Sequence, residues 1–251
     1  TAPGPAKLYQ KCQFSIDFAV HAVTQKFLNA LPYERQRRDI RRAGLNIPVI
    51  TLCRLETGVT AHLEEVVEKI RDDILNTSHL AVGLDETRWP ILNSKDANGY
   101  FWILCNQAGS YYRFEPSRSG EVAMELLEGF SGSVISDKFS GYLRFLTNKE
   151  INWGLCLAHG RREFISLQES YPRECGDVLD IMDQVFKVEH EASHWKDLAV
   201  LRSEKSAVLM ADLKNKLEEI QKNFFPRDEM CKAAEYIFTG TGRPAALWSA
   251  P

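Results

Sequence analysis

The chain has 251 residues, a formal net charge of −3 and a pI near 6.1. This length fits one large or two small domains. The charge excludes attraction of nucleic acid by the chain as a whole, so any such binding would need local basic patches. Six cysteines without C-x-x-C spacing indicate reduced thiols in a cytosolic protein rather than a disulfide framework. No apolar run approaches the roughly 20 residues of a membrane span, and residues 1–12 are predicted to be a flexible leader rather than a signal peptide.

The N-terminal part of the chain, residues 13–77, is predicted to be helical because apolar side chains recur there at helical spacing. A second helix is expected over residues 33–43, with Gly44 as its C-terminal stop. A third helix is expected to start at Pro48, a favoured first-turn residue, and to continue as a long amphipathic helix to Leu75. Two helices joined by a short turn with glycine indicate a helix-turn-helix pattern.

The densest positive charge lies between residues 34 and 54, where six arginines against two acids give a local net charge of +4. Four of these arginines are clustered and are candidates for salt-sensitive contacts to nucleic-acid phosphates: Arg37, Arg38, Arg41 and Arg42. The same cluster would also serve as a solvated helix face that keeps the region in solution. The residues alone leave both interpretations open.

The middle of the chain, residues 78–165, is predicted to be an α/β core with a mixed sheet and helices on its faces. Short apolar runs predict strands at residues 79–85, 99–106, 109–115, 132–137 and 151–156. A tight hairpin is expected between the second and third strands. Helices are predicted from Ser119, acting as the capping residue, to Gly129 and over residues 140–147.

Two aspartates, Asp85 and Asp137, each follow one of these apolar runs and are separated by 52 residues. Carboxylate oxygens are the ligands that Mg²⁺ prefers. Two such ions about 3.5–4 Å apart stabilise the attacking and leaving oxygens of a phosphoryl transfer. The pattern is that of a metal-dependent nuclease core, although strands also end in Asp for turn reasons.

The sequence motifs around the two aspartates are more specific to one family than the spacing of the aspartates is. The most informative runs are Pro116-Ser117-Arg118-Ser119-Gly120-Glu121, Ser136-Asp137-Lys138-Phe139-Ser140-Gly141-Tyr142 and Cys156-Leu157-Ala158-His159-Gly160-Arg161-Arg162-Glu163-Phe164. In order and spacing, residues 15–165 resemble the IS66 family of bacterial insertion-sequence transposases. The resemblance implies a ribonuclease-H-like fold and a DDE-type transposase that cleaves transposon ends and transfers the strand to target DNA.

The resemblance also implies a triad of two aspartates and a glutamate that holds two Mg²⁺ or Mn²⁺ ions. Asp85 and Asp137 match its first two acids and are the expected catalytic and metal-binding residues. The family's third acid lies in an Asn-Asn-x-x-Glu-Arg-like stretch that this chain lacks, so we expect a truncated or degenerate protein. Glu189 and Glu191 belong to a charged helical run that is typical of a solvated face. The alternative function is a catalytically inactive, DNA-binding remnant.

Further candidates lie beside the second aspartate and in the last specific run. Lys138 would neutralise a phosphate near the metals, and Arg161 and Arg162 would meet phosphate or pair with acids. Cys156 and His159 would supply two zinc ligands, but a zinc site with only two protein ligands is incomplete. By resemblance to transposases of this fold, we favour a role of this pair in shaping the active site or its DNA contacts.

Other residues have weaker assignments. Glu86 is expected to point away from Asp85, since successive strand side chains alternate. Trp89 and Trp102 are expected in the core. Residues 166–228 are predicted to form a helical insertion, and residues 229–251 the start of a C-terminal core segment. The resemblance implies transposon-end and target DNA as partners, homo-oligomers assembled on DNA, no membrane, and the bacterial cytoplasm.

Overall fold

The computed structural model describes residues 4, 6–77, 81–91, 98–191 and 195–237. The chain forms two compact units, one extending to Ile70 and the other starting at Arg71. None of the helices in these ranges is both long enough and apolar enough to cross a membrane.

The first unit is helical. Its helices are α1 (Ile16–Phe27), α2 (Tyr33–Arg42), α3 (Val49–Ala61) and the beginning of α4 (Glu64–Asn76). Small and branched apolar residues make its core, including Ala19, Ala22, Ile47, Leu52 and Leu55. The stop at Gly44 is confirmed, because this residue has φ +91° immediately after α2, a conformation in which glycine carries no steric cost.

The prediction of one long helix from Pro48 to Leu75 was wrong, because α3 ends at Ala61 and α4 begins at Glu64. In the last turn of α3 the Thr60 hydroxyl donates to the carbonyl of Glu56 at 2.9 Å. A hydroxyl bound to the carbonyl four residues earlier weakens and bends a helix. The hydrophobic periodicity continues on both sides of the break, so it could not predict that a threonine hydroxyl competes with backbone amides for a helix carbonyl.

The second unit is built on a five-stranded mixed sheet, which confirms the α/β class. Its strands are β1 (Val82–Pro90), β2 (Asn98–Asn106), β3 (Gly109–Glu115), β4 (Gly132–Ser136) and β5 (Ile151–Leu155). They lie in the order β3-β2-β1-β4-β5. The first three strands are antiparallel neighbours, whereas β4 runs parallel to β1 and β5 runs parallel to β4.

The first strand differs from its prediction. It was expected to end at Asp85, but β1 continues to Pro90, paired with β2 along its length. Asp85 therefore lies inside a strand. The predicted start of this strand, at residues 79 and 80, lies outside the described residues. Trp102 is fully buried as expected, but the expectation for Trp89 was wrong, since that side chain is 55% exposed.

One face of the sheet is covered by helix α5 (Gly120–Leu126) and the 3₁₀ helix Ser140–Thr147. Their shared core contains Val82, Leu84, Trp102, Leu104, Val122, Leu126, Val134, Tyr142 and Phe145. Helix α5 is shorter than predicted, and the Ser119 side chain makes no capping hydrogen bond. Gly120, the first residue of α5, lies so close to Gly141 that an added Cβ would be 2.2 Å from the Gly141 carbonyl oxygen.

A second apolar cluster joins the helices that follow β5. These are α6 (Leu157–Leu167), α7 (Pro172–Glu191), α8 (Trp195–Leu201), α9 (Ala207–Asn223), which follows a π-helical turn at Arg202–Ser206, and α10 (Glu229–Ile237). Buried side chains of α6, α7, α9 and α10 form this cluster, among them Phe164, Met182, Leu213, Leu217 and Met230. The role of residues 166–228 as an insertion, and the predicted domain boundaries, stay predictions.

Candidate active site

Asp85 and Asp137 are brought together by the pairing of two parallel strands. In the register of β1 and β4, Val82 lies beside Val134 and Gly83 beside Ile135. Each aspartate is two residues beyond the second of these pairs. Asp85 lies inside β1 and Asp137 directly follows β4, so the register, continued by two residues, leads to both aspartates at the same level on neighbouring strands, whose spacing is about 4.8 Å. Asp85 is exposed, and the Asp137 side chain is 21% exposed.

Each of the two carboxylates has one oxygen held by the backbone. Oδ1 of Asp85 accepts a hydrogen bond from the Glu86 amide at 2.9 Å, and Oδ1 of Asp137 accepts one from the Phe139 amide at 2.9 Å. These contacts limit carboxylate rotation. Oxygen donors of this kind suit Mg²⁺ or Mn²⁺, which retain several waters. Within the described ranges, no set of three or more His, Cys, Asp or Glu side chains is grouped closely enough to hold a metal ion.

The opposite face of β1 carries a charged network that the sequence did not reveal. The Glu86 side chain, which alternation predicted to point away from Asp85, is fully buried there and pairs with Arg118 at 2.5 Å. Its second oxygen accepts a hydrogen bond from the Tyr142 hydroxyl. Burial raises the pKa of Glu86, while the bonds from Tyr142 and Arg118 oppose that rise. Arg118 belongs to a run singled out by resemblance, which marked it without giving it a role.

Cys156 directly follows β5, the strand beside β4, and His159 lies in the first turn of α6. The Cys156 amide donates to the Ser136 carbonyl at 2.8 Å, so Cys156 follows β5 as Asp137 follows β4. Burial opposes ionisation of the Cys156 thiol, but the His159 imidazole and the first amides of α6 outweigh it and lower its pKa. The thiolate in turn raises the pKa of His159 against the effect of burial, and Asp85 adds to that rise. The buried Nδ1 of His159 has no hydrogen-bond partner within the described residues.

The polarised Cys156 thiol leads to a test by alkylation. Because the thiolate is the nucleophile and His159 stabilises it, we expect Cys156 to react with iodoacetamide at lower pH than an ordinary cysteine. A His159→Ala variant should move the alkylation midpoint to higher pH. Mass-spectrometric quantification of the labelled peptide against pH measures this, with Cys53 as the internal reference. Identical Cys156 profiles in both proteins would contradict the pairing.

Lys138 and the arginines after Cys156 have different surroundings. The Lys138 ammonium donates to the Glu235 carbonyl of α10 at 2.8 Å, and the Lys138 amide donates to the Tyr236 hydroxyl at 3.2 Å. Burial lowers the pKa of Lys138. Arg161 forms an ion pair with Asp183 of α7 at 2.9 Å. Arg162 is exposed.

The four candidate arginines of the N-terminal unit lie on or at the end of α2. Arg37 pairs with Glu34 at 2.6 Å, which raises the pKa of Arg37. Arg38 is 3.5 Å from the same carboxylate with its side chain 66% exposed. Arg42 pairs with Asp39 at 2.8 Å with its side chain 80% exposed, and Arg41 is exposed.

The two acids weighed as a replacement for the third site acid have partners of their own. Glu189 forms two hydrogen bonds with Arg202, at 2.8 and 2.5 Å, and Glu191 pairs with Lys205 at 2.5 Å. Both pairs link the end of α7 to the π-helical turn before α9. The structure thus gives each of these glutamates a local partner within the helical region.

Comparison with known proteins identifies the family. A family model described as "Transposase IS66 family" matches residues 11–242. The chain is also similar to an uncharacterised protein, y4qI, of Sinorhizobium fredii, with 24% identity over 261 residues that cover 95% of this chain and 48% of that protein. The chain thus spans about half the length of this relative. With the family model covering most of its residues, the chain belongs to the IS66 family of transposases.

Proposed function

We propose that this chain carries the catalytic core of a DDE-type DNA transposase with a ribonuclease-H-like fold. In this proposal it breaks phosphodiester bonds at transposon ends and joins the freed 3′-hydroxyl to target DNA. Asp85 and Asp137 are the first two acids of its active site. Family membership supports the transposase class.

One observation carries the catalytic part of the proposal. The parallel register of β1 and β4, continued by two residues, leads to Asp85 on one strand and to Asp137 directly after the other, and this alignment supports a shared site for the two carboxylates. A central strand that carries one acid, beside a strand that the other acid directly follows, supports the ribonuclease-H-like assignment. A pair of aspartates kept only for turns would not require this alignment.

The two aspartates offer the carboxylate oxygens that hard divalent cations prefer. Asp85 and Asp137 would hold them through carboxylate oxygens already oriented by the amides of Glu86 and Phe139. Two bound Mg²⁺ or Mn²⁺ ions supply stabilisation of the attacking and leaving oxygens. Cys156 and His159 stand beside the pair, and through its interaction with the thiolate the imidazole favours the charged form near Asp85.

DNA is the proposed partner, both as transposon ends and as target. Arg41 on α2 and Arg162 on α6 have exposed side chains that would contact phosphates, and the exposed Arg38 and Arg42 would do so in exchange for their surface ion pairs with Glu34 and Asp39. Such contacts make affinity fall steeply with salt. Lys138 and Arg161 would contribute only if they leave Glu235 and Asp183. Assembly of more than one copy on DNA is part of the proposal, because two ends must be cut together.

Metal binding by the chain itself tests the site without requiring turnover. Asp85→Asn and Asp137→Asn should each weaken Mn²⁺ binding at least about tenfold, the loss seen even for groups that only support a metal ligand. Isothermal titration of the metal-free protein with Mn²⁺ is the measurement. Asn keeps the shape and an oxygen that accepts the backbone amide, so the fold should be retained.

Asp212→Asn is the matched control, because Asp212 is an exposed aspartate of α9. Its Mn²⁺ affinity should equal that of the unmodified chain. If all three variants bind Mn²⁺ equally, the paired aspartates are not metal ligands and the proposed site is wrong.

A further inference from the structure

The buried carboxylate of Glu86 fixes the orientation of one arginine. Nε and Nη2 of Arg118 both lie 2.5 Å from Oε1 of Glu86, and Tyr142 donates to the other oxygen. A buried charge is stable only when it is paired and hydrogen-bonded. Glu86 therefore cannot release Arg118 without a large penalty, and the guanidinium is held in one position.

Two further contacts hold this guanidinium close to Asp137. Its Cζ lies over the Phe139 ring, 4.0 Å from the ring centroid. Its Nη2 is 3.9 Å from Oδ2 of Asp137. That separation is too long for a direct hydrogen bond. Arg118 is thus next to the carboxylate without saturating it.

The loop that carries Arg118 is itself anchored. The Trp102 indole donates to the Ser117 carbonyl at 3.2 Å, and Trp102 lies opposite Glu86 on the neighbouring strand. Gly120, two residues after Arg118, lies against the backbone of Gly141. The arginine is therefore positioned by the rigid sheet and the start of α5.

The contacts leave part of the guanidinium available. They use Nε and Nη2, and among the described residues none is a hydrogen bond to Nη1, while the side chain remains 41% exposed. A planar guanidinium with free N–H donors is well suited to phosphate oxygens, which it binds more specifically than a lysine does. If Arg118 served only to neutralise Glu86, its side chain would not need to be partly exposed and close to Asp137.

We propose that Arg118 binds a non-bridging oxygen of the DNA phosphate on which Asp85 and Asp137 act, and that Glu86 and Tyr142 are its positioning residues. This inference rests on the proposed function, because it needs DNA at the aspartate pair. It assigns a role to the Glu86–Arg118–Tyr142 network, which lies largely on the other face of the sheet.

The test pairs protein variants with DNA in which one phosphate is made neutral. Duplexes carrying the transposon end, each with a single methylphosphonate near the cleavage point, are bound in Ca²⁺ and followed by fluorescence anisotropy. For the unmodified chain, one position should lower affinity about tenfold or more, on the scale of one lost charged contact. With Arg118→Lys the same position should cost less than about threefold, because the oriented contact is already gone.

A double variant separates phosphate binding from support of the buried carboxylate. Arg118→Ala alone leaves Glu86 unpaired and is liable to unfold, so Glu86→Gln/Arg118→Ala removes the charge as well. The double variant should unfold cooperatively on heating. It should also lack the methylphosphonate effect, which is the loss of affinity caused by the one sensitive methylphosphonate position. Arg227→Ala, at an exposed arginine elsewhere in the unit, should keep the full effect. Tyr142→Phe should reduce it, and Tyr112→Phe, at an exposed tyrosine, should not.

The outcomes distinguish this inference from the proposed function. If Asp137→Asn weakens Mn²⁺ binding but the methylphosphonate effect is the same in the unmodified chain and both Arg118 variants, the role of Arg118 is overturned and the metal site stands. If neither aspartate variant alters Mn²⁺ binding, the proposed function itself fails. A restored methylphosphonate effect in the double variant would make Arg118 a structural partner of Glu86 only.

Discussion

Asp137→Asn should reduce Mn²⁺-dependent cleavage of duplex DNA carrying the transposon end by roughly 10²- to 10³-fold. Losses of 10²–10³ are typical when a single preorganised group that stabilises transition-state charge is removed. Asparagine has nearly the same size, and its carbonyl oxygen still accepts the Phe139 amide that now bonds Oδ1. The loss would therefore reflect charge at this position and not a collapsed turn.

The measurement is the rate of strand nicking under conditions in which Asp212→Asn nicks normally. It should be made both with the 251-residue chain and with a version extended beyond Pro251. Cleavage by the extended version alone, abolished by Asp137→Asn, would place the third acid in the added residues. Asp137-dependent cleavage by the shorter chain would show that an acid within it completes the site.

A third outcome would favour the other function. If neither version cuts where a control nuclease does, while both still bind the DNA, the inactive DNA-binding protein becomes the better description. Binding that weakens with salt and with substitution of Arg38 or Arg42 would locate that activity in the N-terminal helices. The proposal of catalysis would then be withdrawn for this chain.

Gly120→Ala should lower the free energy of unfolding by about 2 kcal/mol, against the usual trend for helices. In a helix, alanine is ordinarily better than glycine by roughly 0.5–1 kcal/mol. Here the new Cβ would lie 2.2 Å from the carbonyl oxygen of Gly141 and 3.0 Å from its carbon, so backbone must move. Overpacking of this kind costs about 1–3 kcal/mol and outweighs the propensity gain.

Thermal unfolding followed by circular dichroism measures the Gly120 effect. For a unit of this size, about 2 kcal/mol corresponds to a fall in Tm of roughly 4–8 °C. Gly176→Ala is the matched control, since an added Cβ in α7 would meet nothing within 4 Å, and it should raise stability by up to about 1 kcal/mol. A neutral or stabilising Gly120→Ala would mean that α5 and the 3₁₀ helix are not in close contact.

The sheet was largely predictable because its strands are short apolar runs bounded by turn residues. Four of the five strands lie within about one residue of their predicted bounds, an accuracy that local patterns allow when glycines mark the ends. The end of β1 was missed for a physical reason. The residues from Glu86 to Pro90 are charged or exposed, and only their pairing with β2 makes them a strand.

The site was predictable only in part, for a related reason. An acid after an apolar run is visible in the sequence, so both aspartates could be selected as candidates. The partners of Glu86 lie 32 and 56 residues away, on the loop before α5 and in the 3₁₀ helix. Their association depends on tertiary packing, which no local periodicity reports. The ion pairs of Arg161 and Lys205 with distant acids were hidden in the same way.

The register of β1 and β4 also bears on how such proteins diverge. The interval of 52 residues between the acids is the length of a hairpin, a helix and their loops, and those connections tolerate insertions. The two-residue steps from Gly83 to Asp85 and from Ile135 to Asp137 do not, because a shift of one residue would turn the Asp85 carboxylate to the other face of the sheet or move Asp137 out of level with it. Relatives should therefore vary in the interval and preserve the steps. The separation of the two acids in sequence is therefore a poor criterion for distant relatives. The two-residue spacing between the end of the β1–β4 register and each aspartate is a better one.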